Sequence, residues 1–510
     1  MTSAHREVER KVRVPEDFAL ADLTSITGVA STEQYPPVRM RATYFDTDDL
    51  RLLRWGVTMR RREGGADEGW HLKLPVAGAE AGTRDELHVD LDATDAKDST
   101  TVPDAFIHVI SPLLRGETAG PRAVVETTRT RHDLVDSEGV TRAELVDDRV
   151  AIYRDGHRIG SFHEIEIEAC DAGDPVALSI LDSAVESLVA QGGTPSTVSK
   201  AAGALGPSAA LPCDIPSLPM PDRTALVVDA LRAILAKHAR HLVMADVAVR
   251  RDLPDAVHQM RVAARRLRST LAAFAPVLDA ERASSLREEL AWLASELGAV
   301  RDTEVLQARL DRHARELPEP HAAAAASAVD DVLDRRMAAA RSSAIAALRS
   351  DRHDQLIDDL VAAVADPPVL DSAFRRCDEL LHEIAAQTWR KLYRDARKLT
   401  LDSPSEQWHR TRIRAKRARY TNEAVASILG GKFTRLAAEL AQVTESLGDH
   451  QDAHIAQQLL ATAAAGVDGS HGFALGLLHE YEGEEEILER LRFPDIWARA
   501  VKAARKAGLG

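Results

Sequence analysis

Three cysteines in 510 residues (Cys170, Cys213 and Cys377) are too few and too far apart for a disulfide scaffold, a zinc ribbon or a redox pair. Aromatic residues are scarce too, at 4% against 45% hydrophobic residues overall, so any core is built mainly from Ala, Leu and Val. No stretch approaches the roughly eighteen uninterrupted apolar residues of a membrane span. The opening MTSAHREVERKV lacks the apolar core of an export signal. The expectation is a cytoplasmic protein with no membrane contact. Positive charge is also in deficit: 65 basic against 80 acidic residues leave a net charge of -15. Such a molecule repels polyanions unless its cations are gathered locally.

They are gathered, in two halves with different periods. From about residue 5 to 200 the pattern is short and alternating (EVERKVRV, VTMRRR, WHLKLP, ELHVDL, FHEIEIE) and punctuated by Gly64-Gly65 and Gly192-Gly193. This predicts mostly antiparallel strands, with helical spacing at Ala177 to Ala190. Residues 203 to 221 carry five prolines and almost no charge, and read as a linker. Beyond Asp222 the apolar residues recur every three to four positions, which predicts an all-helical domain. The domains expected are 1–203, a linker at 204–221, and 222–510.

In a strand, alternate residues share a face. Glu7, Glu9, Lys11 and Arg13 share one, against Val8, Val12 and Val14; Glu164, Glu166 and Glu168 share another, against Ile165 and Ile167. Arg60 and Arg62 pair likewise, as do Arg84 and Glu86, Arg129 and Arg131, and Glu144 and Asp148. For one strand, a solvated polar face is the ordinary explanation. Here, however, the faces are runs of like charge that call for counter-ions. Carboxylates attract Mg²⁺ or Mn²⁺, and arginine forks clamp phosphate oxygens. A phosphoanhydride bound through metal needs both. A closed barrel of about eight strands has room for such a ligand.

Glu7-Val8-Glu9-Arg10-Lys11 resembles the ExExK signature of CYTH, or triphosphate tunnel metalloenzyme, domains. The similarity continues in order through YFDT at 44–47, Gly56 with Arg60-Arg61-Arg62, Lys73, Arg84 and Glu86, Arg129 and Arg131, ELVDD at 144–148, EIEIE, and Ser199-Lys200. The resemblance implies an antiparallel eight-stranded barrel that holds a triphosphate. Glu7, Glu9, Glu86, Asp148, Glu166 and Glu168 would surround one or two divalent ions, Mg²⁺ or Mn²⁺, with Glu144 and Glu164 as further candidates. Lys11, Arg39 or Arg41, Arg60, Arg62, Lys73, Arg84, Arg129, Arg131 and Lys200 would clamp phosphates. Lys11, Lys73 and Lys200 are the candidates for a lysine that stabilises or protonates the leaving group. The glycine often found after the ELVDD aspartate is absent. Inorganic triphosphate is the first expected substrate; thiamine triphosphate, and ATP in a cyclase reaction, are the alternatives within the family.

In the helical half two segments align: His258, Arg261, Arg265 and Arg268 stand at the spacing of His409, Arg412, Lys416 and Arg419. Positions i, i+3, i+7 and i+10 form one stripe roughly 15 Å long on a helix. Downstream, LGAVRDTEVL and LGDHQDAHIA repeat as well, with Asp302 and Asp449 about forty residues after the histidines. Two pseudo-symmetric helical bundles would bring both columns to one surface. A duplicated basic column headed by histidine resembles the CHAD family. That resemblance implies binding of inorganic polyphosphate by the eight stripe residues, with Arg266, Arg414 and Arg417 as off-stripe candidates, and association with polyphosphate granules. Arginines around each histidine argue against a metal there, and the scarcity of stacking aromatics argues against nucleic acid. The competing class is a binding protein whose barrel holds phosphate chains without turnover.

Overall fold

The computed structural model describes residues 3–76, 83–91, 101–154, 156–467 and 469–509. It divides into two units, Met1–Asp214 and Ile215–Gly510. The first contains β1 Ser3–Val14, β2 Ser31–Gln34, β3 Val38–Asp46, β4 Thr58–Glu63, β5 Gly69–Pro75, β6 Thr83–Asp90, β7 Gly120–Val135, β8 Thr141–Arg154, β9 His157–Ala169 and β10 Thr194–Pro195. Eight strands follow one another as β1-β6-β5-β4-β3-β7-β8-β9, all antiparallel, and β9 returns to β1 over Glu9↔Glu168 to Val14↔His163. The sheet is therefore a closed eight-stranded barrel, with β2 and β10 as short additions on β7 and β1.

Among the described residues four α-helices accompany it: α1 Arg51–Arg54, α2 Asp104–Leu114, α3 Pro175–Ala190 and α4 Lys200–Leu205. α3 starts where Asp174 accepts a hydrogen bond from the Val176 amide at 2.9 Å, with Pro175 in the first turn. Its Ala177, Ile180, Leu181, Ala184 and Leu188 pack against Val8, Val12, Leu145, Ile165 and Ile167 on the outside of the barrel. The apolar side of these strands is thus the outer one, roofed by a helix, and the charged side faces the lumen. Gly64 and Gly65, both at positive φ, turn β4 into β5, and a Cβ on Gly64 would lie 2.6 Å from the Arg39 carbonyl oxygen.

α4 has a different task. Ser199 caps it by accepting from the Ala202 amide at 3.1 Å. Ala201, Ala204 and Leu205 then pack among Ala42, Tyr44, Val125, Val150 and Ile152, the lumen-side apolar residues at one end of the barrel. The helix stops that end and leaves Lys200 buried in the lumen.

The proline-rich stretch begins inside this unit. Pro207–Ala210 form a 3-10 turn, and Asp214 accepts from Trp55 Nε1 at 2.7 Å and from Arg115 Nη2 at 2.6 Å. A fragment of residues 1–214 should therefore melt higher than residues 1–205. Hydrogen bonds to a charged group contribute about 1.5–3 kcal/mol each, so a gap of about 4 °C or more is expected by scanning fluorimetry.

The second unit contains α5 Val227–Arg250, α6 Ala256–Ala273, α7 Ala280–Glu296, α8 Gly298–Ala314, α9 His321–Leu348, α10 Asp351–Ala365, α11 Cys377–Ala396, α12 Ser405–Leu429, α13 Lys432–Ala464 and α14 Gly469–Lys506. The duplication is visible in the backbone. Val227 N donates to Arg375 O and Cys377 N donates to Ala225 O, each at 2.9 Å, so the chain entering α5 and the chain entering α11 exchange equivalent bonds. α7 and α8 are broken at Leu297, whereas their counterpart α13 runs through without a break. α6 and α12, which carry the two basic columns, pack on one another. Among the described residues, no helix is long and apolar enough to cross a membrane.

Candidate functional site

The barrel register places opposite charges across neighbouring strands, although each strand carries runs of like charge. Glu7 lies opposite Arg84, Lys73 opposite Glu86, Lys11 opposite Glu166, Arg13 opposite Glu164 and Arg129 opposite Asp148. Most of the counter-ions that the sequence demanded are therefore inside the protein. Lys11 Nζ is 2.6 Å from Glu166 Oε1 and 3.1 Å from Glu9 Oε1. Lys73 Nζ donates to Glu7 Oε2 at 2.6 Å. Lys200 Nζ reaches Glu166 at 2.7 Å, Asp148 at 2.8 Å and Glu164 at 3.5 Å. Arg129 grips Asp148 with two bonds, of 2.8 and 2.6 Å, and Glu166 at 3.0 Å. Burial works against the charged forms of Lys11 and Lys200, but these carboxylates outweigh it and raise both above the ordinary lysine value.

Two places gather like charge. Glu168 faces Glu9 on one neighbouring strand and Glu144 on the other. Burial, then Glu7, Glu9 and Glu86, push its carboxyl up to about 8. Glu7 is raised too, by burial and by Glu86 beside it. Deeper along the wall, Arg60, Arg62 and Arg129 converge with Tyr44 and Lys200 around one cavity. Burial, Arg60 and Arg129 bring Arg62 down to about 9, and among the described residues the Nε atoms of Arg60 and Arg62 are buried without a hydrogen-bond partner. One lobe gathers carboxylates and the other guanidinium groups, of which Arg62 also pairs with the Asp67 carboxylate.

The remaining expected residues are distributed around these lobes. Arg84 lines the same lumen. Arg131 and Glu144 pair with each other at 2.9 Å, with Arg131 half-exposed. Glu164 is fully buried, and its oxygens accept no hydrogen bond among the described residues. Arg39 and Arg41 are both exposed and off the lumen, because the alternation of β3 sends Met40, Ala42 and Tyr44 inward instead. His71 was missed, although it shares a face with Lys73 in WHLKLP. It is buried, with Nδ1 2.8 Å from Glu86 Oε1 and Nε2 2.9 Å from the Asp67 carbonyl oxygen. Arg62 Nη2 donates to that same carbonyl at 3.1 Å, so one hairpin carbonyl ties the two lobes together.

The acidic lobe fits a divalent cation chemically: it offers hard carboxylate oxygens, and burial, then the neighbouring carboxylates, raise Glu168. Among the described residues no group of three His, Cys, Asp or Glu is drawn together as a ligand set. Instead, Glu7 and Glu9 lean on Lys73 and Lys11.

In the helical unit, Arg261, Arg265, Arg412 and Lys416 converge where α6 meets α12. Burial, then Arg412 and Arg265, bring Lys416 down to about 7. Arg265 is lowered by burial and by Arg261 and Arg412. Arg261 Nη1 pairs with Asp302 at 2.9 Å, and Arg412 lies 3.7 Å from Asp452. The duplicated acid is thus Asp452 rather than Asp449, as the alignment of LGAVRD with LGDHQD already implied. Arg268 and Arg417 share a second basic neighbourhood with Arg414 and with Arg287 of α7, which the columns alone could not reveal. Arg419 is engaged by Glu423 at 2.7 Å and Thr444 at 2.9 Å. His409 bonds Gln451 at 2.7 Å, while His258 Nδ1 is buried without a partner among the described residues.

Comparison with known proteins agrees with both halves. Residues 5–179 match the CYTH domain and residues 233–461 match the CHAD domain. An uncharacterized protein of Mycobacterium tuberculosis is 32% identical over 537 aligned positions, covering 99% of this chain and 98% of that protein. The chain belongs to the CYTH–CHAD family. Among solved structures, PptA from Streptomyces chartreusis shares 26% identity over 54% of this chain and 100% of its own, with a TM-score of 0.47. The CHAD domain from the plant Ricinus communis shares 28% over 57% and 96%, also at 0.47. CYTH domains are triphosphate-tunnel enzymes, hydrolases or lyases, and generally depend on a divalent metal. The barrel of this CYTH–CHAD protein is such a domain.

Within it, Asp148 is fully buried between two cations. Asp148→Ala would strip a buried carboxylate from Arg129 and Lys200 together. Breaking a buried pair by removing one partner costs about 3–5 kcal/mol. Chemical denaturation of residues 1–214 should register a loss of that size.

Proposed function

We propose that the barrel hydrolyses inorganic triphosphate with Mg²⁺ or Mn²⁺, and that the helical unit binds inorganic polyphosphate. The observation that carries the first half is the pair of opposite charge clusters in one lumen, around Glu168 and around Arg62. A phosphate chain with a bound cation neutralises both at once; an anion alone leaves the carboxylates unrelieved. The bound metal would neutralise charge on the phosphates and orient or activate water. Glu7, Glu9, Glu86 and Glu168 are the residues to hold it. Arg60 and Arg62 are the guanidinium groups to meet non-bridging oxygens, Arg129 adds positive charge beside them while held by Asp148 and Glu166, and His71 keeps Glu86 in place. Lys11 and Lys200, kept protonated by Glu166, are the charges available to a leaving phosphate. Because these donors are fixed before substrate arrives, little reorganisation is needed during reaction.

For the helical unit, support comes from Arg261, Arg265, Arg412 and Lys416 meeting, with Asp302 and Asp452 as the acids paired to them among the described residues. The cost of bringing them together is relieved by a polyanion.

Glu7→Gln and Glu9→Gln should each abolish metal-dependent hydrolysis without unfolding the barrel, since each removes one hard anionic ligand. Phosphate release from triphosphate, ATP, thiamine triphosphate and long polyphosphate, with Mg²⁺ and with Mn²⁺, checks this. Near-normal turnover in both variants overturns the metal assignment, and a preference for ATP or thiamine triphosphate replaces the substrate.

Replacing Arg261 and Arg265, or Arg412 and Lys416, by Gln should weaken polyphosphate binding at least tenfold and flatten its salt dependence. Thermal stability should hold or rise. Titration with short duplex DNA in parallel decides whether nucleic acid is preferred.

A further inference from the structure

Arg266 belongs, by sequence, with the basic columns, yet it faces away from Arg261 and Arg265 into a different cavity. That cavity, of about 150 Å³, is lined by Lys237 and His238 of α5, Arg266 and Thr270 of α6, and Tyr420 and Glu423 of α12. It is smaller than the roughly 300–1,000 Å³ typical of sites for organic ligands. Its polar groups are largely uncommitted. Among the described residues the side chains of Lys237, His238, Thr270 and Tyr420 make no hydrogen bond, and Arg266 Nε is buried without a partner. Arg266 touches Glu423 only at 3.4 Å, and its guanidinium stands 5.9 Å from the Tyr420 ring. Two cations and two hydroxyls lining a small space, Lys237 itself exposed, describe an oxyanion site.

The carboxylate makes the site selective. Glu423 Oε1 is taken by Arg419 Nε at 2.7 Å, which leaves Oε2 with acceptor capacity facing the cavity. An ionised carboxylate can only accept, so it repels a fully deprotonated anion and welcomes one that carries a hydroxyl. His238 adds to this: burial, Arg266 and Lys237 lower it to about 3, so its neutral ring offers one donor and one acceptor. Hydrogen phosphate has oxygens for the cations and a P–OH for Glu423. Sulfate has no proton to give at neutral pH, and neither does an internal phosphate of a chain.

We propose that this cavity binds a phosphate bearing an ionisable proton, either free orthophosphate or the terminal phosphoryl group of a polyphosphate. It is a separate site from the basic columns and does not require that they bind polyphosphate.

Calorimetric titration of the full chain with orthophosphate and with sulfate tests it. Orthophosphate should bind at least tenfold more tightly than sulfate. Arg266→Gln should weaken orthophosphate about tenfold, the loss of one charge-assisted contact. Glu423→Gln should bring the two anions close to equal affinity. Because Glu423 also holds Arg419, Thr270→Val and Tyr420→Phe provide variants that leave the ion pairs alone; each should weaken orthophosphate severalfold with the melting temperature unchanged. A polyphosphate blocked at both ends, compared with an open chain of equal length, separates the two sources. Weaker binding of the blocked chain, and loss of that difference in Arg266→Gln, assigns the terminus; no difference, with orthophosphate still bound, assigns the free anion. Equal affinity for phosphate and sulfate in the unaltered protein, or orthophosphate binding indifferent to Arg266, Thr270 and Tyr420 together, overturns the proposal.

Discussion

Ions are expensive to bury, by several kcal/mol each even after the protein relaxes around them, and this barrel turns its ions inward. The arrangement survives because the strand register sets each charge against an opposite one on the next strand. Arg129 with Asp148, Lys11 with Glu166 and Lys73 with Glu86 are cross-strand neighbours before they are ion pairs. A slip of one residue would swing the valines of β1 into the lumen and the charges under α3. Electrostatics and packing therefore enforce the same register. Glu168, between Glu9 and Glu144, and the neighbouring Arg60 and Arg62 stand out against these paired walls.

The helical unit meets a similar difficulty by another route. Its cations lie on the faces of α6 and α12, where nothing in a helix repeat supplies an opposite charge. Two acids from elsewhere, Asp302 on α8 and Asp452 on α13, do part of that work. Lys416 bears the remainder and is the group most easily discharged. Symmetry makes this possible: the exchanged bonds at Leu226 and Arg376 fix the starts of α5 and α11, and each bundle then delivers its column to the shared face.

Alternation carried most of the barrel into view. The valines of EVERKVRV and the isoleucines of EIEIE marked one face as apolar, and the carboxylates took the other. What alternation could not say was which face lay inside, because a solvated polar surface has the same period. Only closure of β9 on β1 and the roofing of Val12 and Ile165 by α3 decide that. Arg39 and Arg41 show the converse: they share the charge and spacing of the lumen arginines, but β3 fills its inner face with Met40, Ala42 and Tyr44. His71 was hidden by its neighbours in WHLKLP, and Arg287 by lying on a helix with no repeated motif. α2 had no place in the strand pattern at all. In the second unit the repeat exposed both columns and the fold symmetry, yet the pocket beside Arg266 depends on three helices meeting and left no mark on any one of them.

α4 is a stopper that carries part of the lining with it. Ala201, Ala204 and Leu205 are wedged among the apolar residues at one end of the tube, and Lys200, at the head of the same helix, reaches Asp148 and Glu166. Plug and cation therefore travel together: a change that loosened the apolar wedge would also withdraw a positive charge from two buried carboxylates, so the seal of the tube and the electrostatics of its lumen are one mechanical part.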